Sequence, residues 1–481
     1  MISSRIVEFV ESLSAKELDK LQLFLRSPYH NNGYNATKIS ELYDYLLAAY
    51  RRKELHLLDK KGLNERYFPE HSFQEKRKNP IDALSSQLVK KMKDFLFFEL
   101  VQEDHFTTQQ LFAVARFYRR NSYEERFWQV IKQFKKQHDQ RIHRDAYFYL
   151  DSFLIESEVA AFRSIFNTYT DDANITRAHE RLDQFYITQK LEISTSLAFQ
   201  QKLGQVKDST EIPLTQALKS FMEEDQRLQT PLAKFYKVIL EWLEEAPADD
   251  ALEAFADQLR DSREMIDVVK FRNLMAFYRY FLGMRYRKEV QGIELLRKIF
   301  DVYQEHLTEG YFLVEDKILP LSLNSIIAIA TKLGEIKWAK KLLKDYPPER
   351  ITGTRYPVEA HSLCTAEVLF CNQEYAAAHD HLTFYNFDNV NYSILADILL
   401  IKIYYATKDD LIYNRIRALE QKTRRSKLAE RSKASYLNFL KFLHRVLKYE
   451  HDKTSKKWQK IKTDFYTIRP MLEREWLYSI L

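Results

Sequence analysis

Imidazole and thiolate groups are the usual ligands of zinc, and five of them fall close together: His361, Cys364, Cys371, His379 and His381. On one helix Cys364 and Cys371 would stand about 10.5 Å apart along the axis, too far to share one ion at ~2.3 Å. That separation also exceeds the ~7 Å Cα limit of a disulfide. His379 and His381 are two residues apart and point to different faces of a helix. His361, Cys364, Val368 and Cys371 follow the spacing of a buried helical stripe, where free cysteine is common. The cluster is therefore expected to be core, with no metal. No Asp or Glu stands three residues before any of the 13 histidines, which removes the carboxylate–histidine pair of di-iron bundles. H-E-x-x-H is absent as well, since His179-Glu180-Arg181-Leu182-Asp183 ends in Asp.

Carboxylates cluster at Glu223-Glu224-Asp225, Glu244-Glu245 and Asp249-Asp250. Acid–base catalysis needs carboxyl groups converging on a cleft, usually from different elements. Neighbours on one helix diverge by about 100°. Asp249 and Asp250 follow Pro247 and fit the first turn of a helix, where negative charge complements the dipole. The two closest glycines, Gly283 and Gly292, are nine residues apart. Neither a phosphate-cradling glycine loop nor a G-x-S-x-G nucleophile turn can be written anywhere. No catalytic, cofactor or metal residue is expected.

Charge is the asymmetric feature. Residues 415–469 hold 17 Lys/Arg and 5 Asp/Glu, against a net charge of +6 for the whole chain. The positive excess is thus confined to this block. Arg424, Lys427 and Arg431 have helical i, i+3, i+7 spacing, although Ser426 interrupts them. Lys453, Lys456, Lys457 and Lys460 form a tighter stripe beside Trp458. An opposite block, residues 241–267, holds 10 acidic and 2 basic residues. The plain expectation for the lysines is a solvated face, drawn toward the acidic block if the array curls. The sharper one is a surface for an acidic protein or peptide, with nucleic acid as the alternative partner.

These residues must be positioned by helices. Of 481 residues only 8 are Gly and 11 Pro, too few for the tight turns of a sheet protein. Thirty-two Phe, 30 Tyr and 5 Trp suit the gaps between packed helices. Ser14 and Glu17 form an S-x-x-E capping box before Ala15–Arg26, with Leu13 and Leu18 as its staple. Asn35 is placed to cap a second helix to Arg52, and Asn79-Pro80 opens a third. Residues 59–78 between them read as a loop with one helical turn. From Thr107 onward the pattern is helix, short polar turn, helix, with apolar residues at i, i+3, i+4, i+7 and no alternating strand. Gly204–Pro213 is the softest boundary. Two cysteines indicate a reducing compartment, Met1–Leu13 has no signal-peptide character, and Ile394–Tyr405 is too short to span a bilayer. The expected location is the cytoplasm.

Three turns align: Asn121-Ser122-Tyr123, Gly334-Glu335-Ile336 and Gln373-Glu374-Tyr375. The last two are followed by Ala339 with Leu343 and by Ala378 with Leu382, at a separation of 39 residues. At these positions the chain resembles the tetratricopeptide-like α-solenoids. Ala366 keeps the small residue of such repeats, whereas Ile327 and Val114 are bulky and Arg126 replaces the alanine. The stretch Phe24-Leu25-Arg26-Ser27-Pro28-Tyr29 resembles the opening of an uncharacterised family of large helical bacterial proteins, which implies no activity. Together these readings give an all-α helical-hairpin superhelical solenoid over residues 106–481, with an N-terminal helical cap over 1–105. The function expected of it is a non-enzymatic protein–protein interaction scaffold binding a peptide or helix in its groove. A nucleic-acid-associated regulator is the alternative, and an enzyme with a site assembled from distant helices is the weakest.

Overall fold

The structure, a computed structural model, describes residues 4–54, 58–75, 77–100, 104–166, 173–203, 214–288 and 292–481. The fold is all-α, with 23 α-helices among the described residues. The expected boundary at 204–213, and the side chains of Thr107 and Asp249, lie outside what is described.

Two compact units divide the chain: residues 1–140 with 154–175, and residues 141–153 with 176–481. The first unit thus reaches past residue 105. It begins with α1 (Ser4–Ser12), α2 (Ala15–Arg26), α3 (Ala36–Arg51), α4 (Lys60–Tyr67) and α5 (Pro80–Leu100). The Ser14 capping box is formed, with Glu17 Oε2 accepting from the Ser14 N–H at 2.7 Å. Asn35 precedes α3 but does not cap it; its amide donates to Gln87 instead. Residues 59–78 hold more helix than expected, because Asp59 accepts from the Gly62 N–H and starts α4. Leu21, Leu42, Leu46, Leu88 and Met92 are fully buried between these helices. Then come α6 (Asp104–Arg120), α7 (Glu124–Gln140) and α8 (Ala146–Phe166, from Leu154), around the stacked rings of Phe127 and Phe162.

The second unit contains α9 (Ala173–Lys202, from Thr176), α10 (Thr215–Glu224), α11 (Pro231–Glu244), α12 (Asp249–Asp261), α13 (Val268–Lys288) and α14 (Ile293–Thr308). It continues through α15 (Pro320–Lys332), α16 (Ile336–Asp345), α17 (Pro357–Cys371), α18 (Tyr375–Phe384), α19 (Val390–Thr407) and α20 (Leu411–Arg425). It closes with α21 (Glu430–Tyr449), α22 (Lys456–Thr467) and α23 (Arg474–Ile480). From α13 to α22 each helix packs on the next, so the second helix of one hairpin covers the first helix of the following one. First helices also meet directly, α15 on α17 and α17 on α19. Residues 316–319 were expected to be helical and are not. Glu315 and Asp316 both have positive φ and turn a short hairpin of β1 (Leu313–Val314) and β2 (Lys317–Ile318), after which Pro320 opens α15.

The hairpin turns share one device. Gly334, Gln373 and Ser122 all adopt left-handed φ, at 75°, 62° and 60°. In each the next N–H returns to a carbonyl in the last helical turn: Glu335 to Ala330, Glu374 to Leu369, Tyr123 to Tyr118. Lys408 (φ 57°) does the same between α19 and α20, with Asp409 N–H bonded to the Tyr404 carbonyl at 2.9 Å. A side chain at such a φ costs about 1–2 kcal/mol. Lys408→Gly should therefore raise stability by about 1 kcal/mol. Gly334→Ala, with no atom near its new Cβ, should lower it by a similar amount. Urea midpoints measure both, and shifts of the same sign would contradict the assignment.

Candidate interaction surface

The basic block folds into α20, α21 and α22. Lys422, Arg424 and Arg425 fall in the last turn of α20, where positive charge complements the helix dipole. At 1.5 Å per residue α21 is about 30 Å long, and it separates the candidate residues into two groups. Arg424, Lys427 and Arg431 stand at its start; Lys453, Lys456, Lys457 and Lys460 follow its end. The structure does not bring the seven together.

Within the first group Arg424 is held by Glu420 one turn earlier, at 2.7 Å. Arg431 donates to the Lys202 carbonyl at 3.1 Å, which returns the first turn of α21 to the end of α9. It lines an open cleft of about 630 Å³ with Lys202, Thr215, Leu243 and Glu244. Lys427 is exposed. The second group is better defined. Lys453 Nζ lies 5.3 Å from the buried Trp458 ring and Lys457 Nζ 5.2 Å from Tyr449. No carboxylate within ion-pair distance of Lys453, Lys456, Lys457 or Lys460 is found among the described residues. Lys456 and Lys457 occupy the first turn of α22, capped by Ser455, where the dipole opposes positive charge. Helix stability does not account for them.

Several carboxylates of the acidic block pair with cations other than those of residues 415–469. Glu244 pairs with the buried Lys219 at 3.1 Å, Glu253 with Lys298 at 2.6 Å, and Asp257 with Arg260 at 3.0 Å. Glu223 pairs with Lys237, and Asp225 grips Arg227. Asp250 stands in the first turn of α12 as expected.

Within the cysteine–histidine stretch Cys364 belongs to the core, while Cys371, His361, His379 and His381 are half-buried at its edge. Cys364 is buried on α17, and burial pushes its thiol up to about 12 and that of Cys371 to about 11. His361 Nε2 faces the Leu343 carbonyl at 3.0 Å, His379 Nε2 meets the Tyr404 hydroxyl at 3.3 Å, and His381 packs on Tyr385. No group of three potential metal ligands occurs among the described residues.

Several charges are buried in ion pairs whose partners the sequence does not show. On the otherwise apolar α19, Asp397 pairs with Arg415 at 3.0 Å and with Lys422. Five residues later Lys402, 8% exposed, pairs with Glu473 at 3.0 Å and lies 3.7 Å from Glu367. Their presence inside the apolar run Ile394–Tyr405 was the available signal; their partners were not. In the first unit two buried glutamates on α8 take separate cations. Glu158 takes Arg119 and Arg116, and Glu156 takes Lys135 at 2.9 Å together with Asn174. In the second unit Arg279 Nη1 donates to His306 Nδ1 at 2.7 Å, so the ring proton resides on Nε2, which is buried without a partner. Burial, then the neighbouring Arg279 and Arg260 charges, lowers His306 to about 3.

No helix among the described residues is long and apolar enough to cross a membrane. Comparison with known protein families, with curated proteins and with solved structures finds no match to this chain.

Two measurements follow. A thiol reagent at pH 8 should leave Cys364 unmodified in the native chain and label both cysteines in denaturant; fast native labelling of both would contradict the burial of Cys364. His306 is neutral when folded but gains a proton below pH ~6.5 when unfolded. Stability is thus fully present above that pH and falls as pH drops toward 3, by up to about 1.4 kcal/mol per unit. His306→Gln should flatten the stability slope between pH 6.5 and 5.5, and parallel slopes would refute the assignment.

Proposed function

We propose that the protein is a non-enzymatic interaction scaffold, a tetratricopeptide-like solenoid in its second unit, which binds a peptide or helix of acidic character in the cytoplasm. The observation that carries this reading is the packing order from α13 to α22. Each second helix there packs on the first helix that follows, and the first helices α15, α17 and α19 also meet one another in a continuous row. Arrays built in this way offer an extended face rather than a single pocket, and extended faces suit extended ligands. Exposed lysines at α22, beside the end of that row, have no carboxylate within ion-pair distance among the described residues and favour an acidic ligand. Affinity purification of the tagged chain after cross-linking in its own cells is the test. Recovery of a protein cross-linked to helices α13–α21 is expected. Recovery of none, with substrate turnover by the chain alone, would overturn the reading.

A second reading rests on the group at Lys453, Lys456, Lys457 and Lys460, whose charge beside Tyr449 and Trp458 also suits a polyanion. If nucleic acid is the ligand, log K falls linearly with log salt, and Lys456→Glu with Lys457→Glu and Lys460→Glu lowers the slope by about 3. A flat plot removes this reading.

A further inference from the structure

Segment 468–481 leaves the hairpin order of the second unit and crosses it. After α22, Asn438 on α21 donates to the Pro470 carbonyl at 2.8 Å, and the Leu472 N–H reaches the Ser435 carbonyl at 3.4 Å. Glu473 then pairs with Lys402 on α19 at 3.0 Å. Glu475 pairs with Lys332 at the end of α15, at 2.6 Å, and the same ammonium lies 5.5 Å from the Tyr286 ring on α13. The Trp476 ring lies 5.4 Å from Tyr405 on α19 and 6.2 Å from Phe439 on α21. α17 takes part through Lys402, which Glu367 approaches at 3.7 Å and the Phe370 ring at 5.0 Å. The direct partners lie on the first helices α15, α19 and α21, while α13 and α17 touch the lysines that the segment pairs with. Among the described contacts the segment touches one second helix, α22, from which it has just emerged, with Arg474 donating to the Phe465 carbonyl and Tyr478 packing near that ring.

The hold is light. α23 has seven residues, too few to be stable by itself, and no side chain caps its start. Glu473 enters it at φ 51°, a left-handed conformation that disfavours a side chain. The Glu475 side chain is 53% exposed even while paired. Lys402 differs from a surface lysine because it is buried and needs an anion at that spot.

We propose that the face around Lys332, Lys402 and Tyr405 is the groove of the scaffold, and that segment 471–481 is an internal ligand which an acidic, aromatic-anchored peptide displaces. The proposal rests on the scaffold reading and adds the ligand's chemistry. Glu473-Arg474-Glu475-Trp476-Leu477 sets the pattern: two carboxylates two residues apart, a large ring, then an aliphatic residue. A tethered segment acts at an effective concentration of order millimolar, so an outside peptide competes poorly until the segment is released.

The experiment uses the intact chain and a labelled peptide spanning 468–481, read by fluorescence anisotropy. Glu475→Lys, alone and with Trp476→Ala, releases the internal segment. The peptide should bind the released chains at least tenfold more tightly than the wild type, and adding Lys332→Glu should abolish that gain. A peptide with both glutamates changed to Gln should bind the released chains at least tenfold more weakly. Equal binding to wild-type and released chains overturns the proposal. Loss of cooperative unfolding in both released variants also overturns it, because the segment would then be part of the core. If cross-linking still places a partner on the first helices while peptide binding shows no gain, the internal-ligand proposal fails and the scaffold reading stands. If cross-linking recovers no partner, it is the scaffold reading that fails.

Discussion

Ending a helix and starting its antiparallel neighbour within three residues requires one residue with positive φ, and this chain must do so repeatedly with eight glycines. Ser122, Gln373 and Lys408 accept the left-handed conformation that Gly334 adopts freely. Each turn closes with the same return of an N–H to the last helical turn, which fixes the two helices as a pair. Once paired, a hairpin exposes an apolar flank that only the next hairpin can cover. The succession from α13 to α22 follows from that requirement. The strain tolerated at the turns is offset by the burial between hairpins, where residues such as Ile326, Ala366, Ala378 and Leu443 lose nearly all solvent contact.

The same stacking determines where charge can be buried. α19 is covered on nearly every side, yet it carries Asp397 and Lys402. Five residues separate them, so they face different neighbours. Asp397 turns to Arg415 and Lys422 on the second helix of its own hairpin, and Lys402 turns to the face where Glu367 and Glu473 meet it. A buried pair of this kind contributes little net stability, because desolvation opposes the Coulomb attraction. Two anions meet Lys402, so its charge stays compensated by Glu367 when Glu473 moves away. The lysines at the start of α22 present the opposite case, since they are exposed, unpaired by carboxylates and set against the helix dipole.

Local signals in the sequence carried much of the fold. The capping box at Ser14 and Glu17, the turns at 121–123, 334–336 and 373–375, and the apolar stripe through Cys364 all depend on residues within one or two helical turns. The structure bears out the all-α architecture those signals imply. Asn35 does not cap α3 because its backbone (φ −97°, ψ 15°) is not in the extended conformation a cap residue needs; its amide donates to Gln87, far along the chain. The hairpin of β1 and β2 escaped because Glu315 and Asp316 lack the Asn-Gly signature of their turn. α23 escaped because seven residues give no period to read, and its contacts with Lys332, Lys402 and Tyr405 join positions 71 to 143 residues apart. The basic block was legible as composition, but its division into two groups depends on the length of α21, along which no single stripe continues.

Hydrogen exchange on the intact chain tests the central claim most directly, because it reads local opening without any substitution. If segment 471–481 is an internal ligand held on the first helices, its amides exchange by a local opening, well before those of α19 and α21 against which it rests. The amides of those two helices then keep the protection of global unfolding. Exchange of the segment at the same rate as α19 and α21 would make it an ordinary part of the core, and would contradict the displaceable groove ligand.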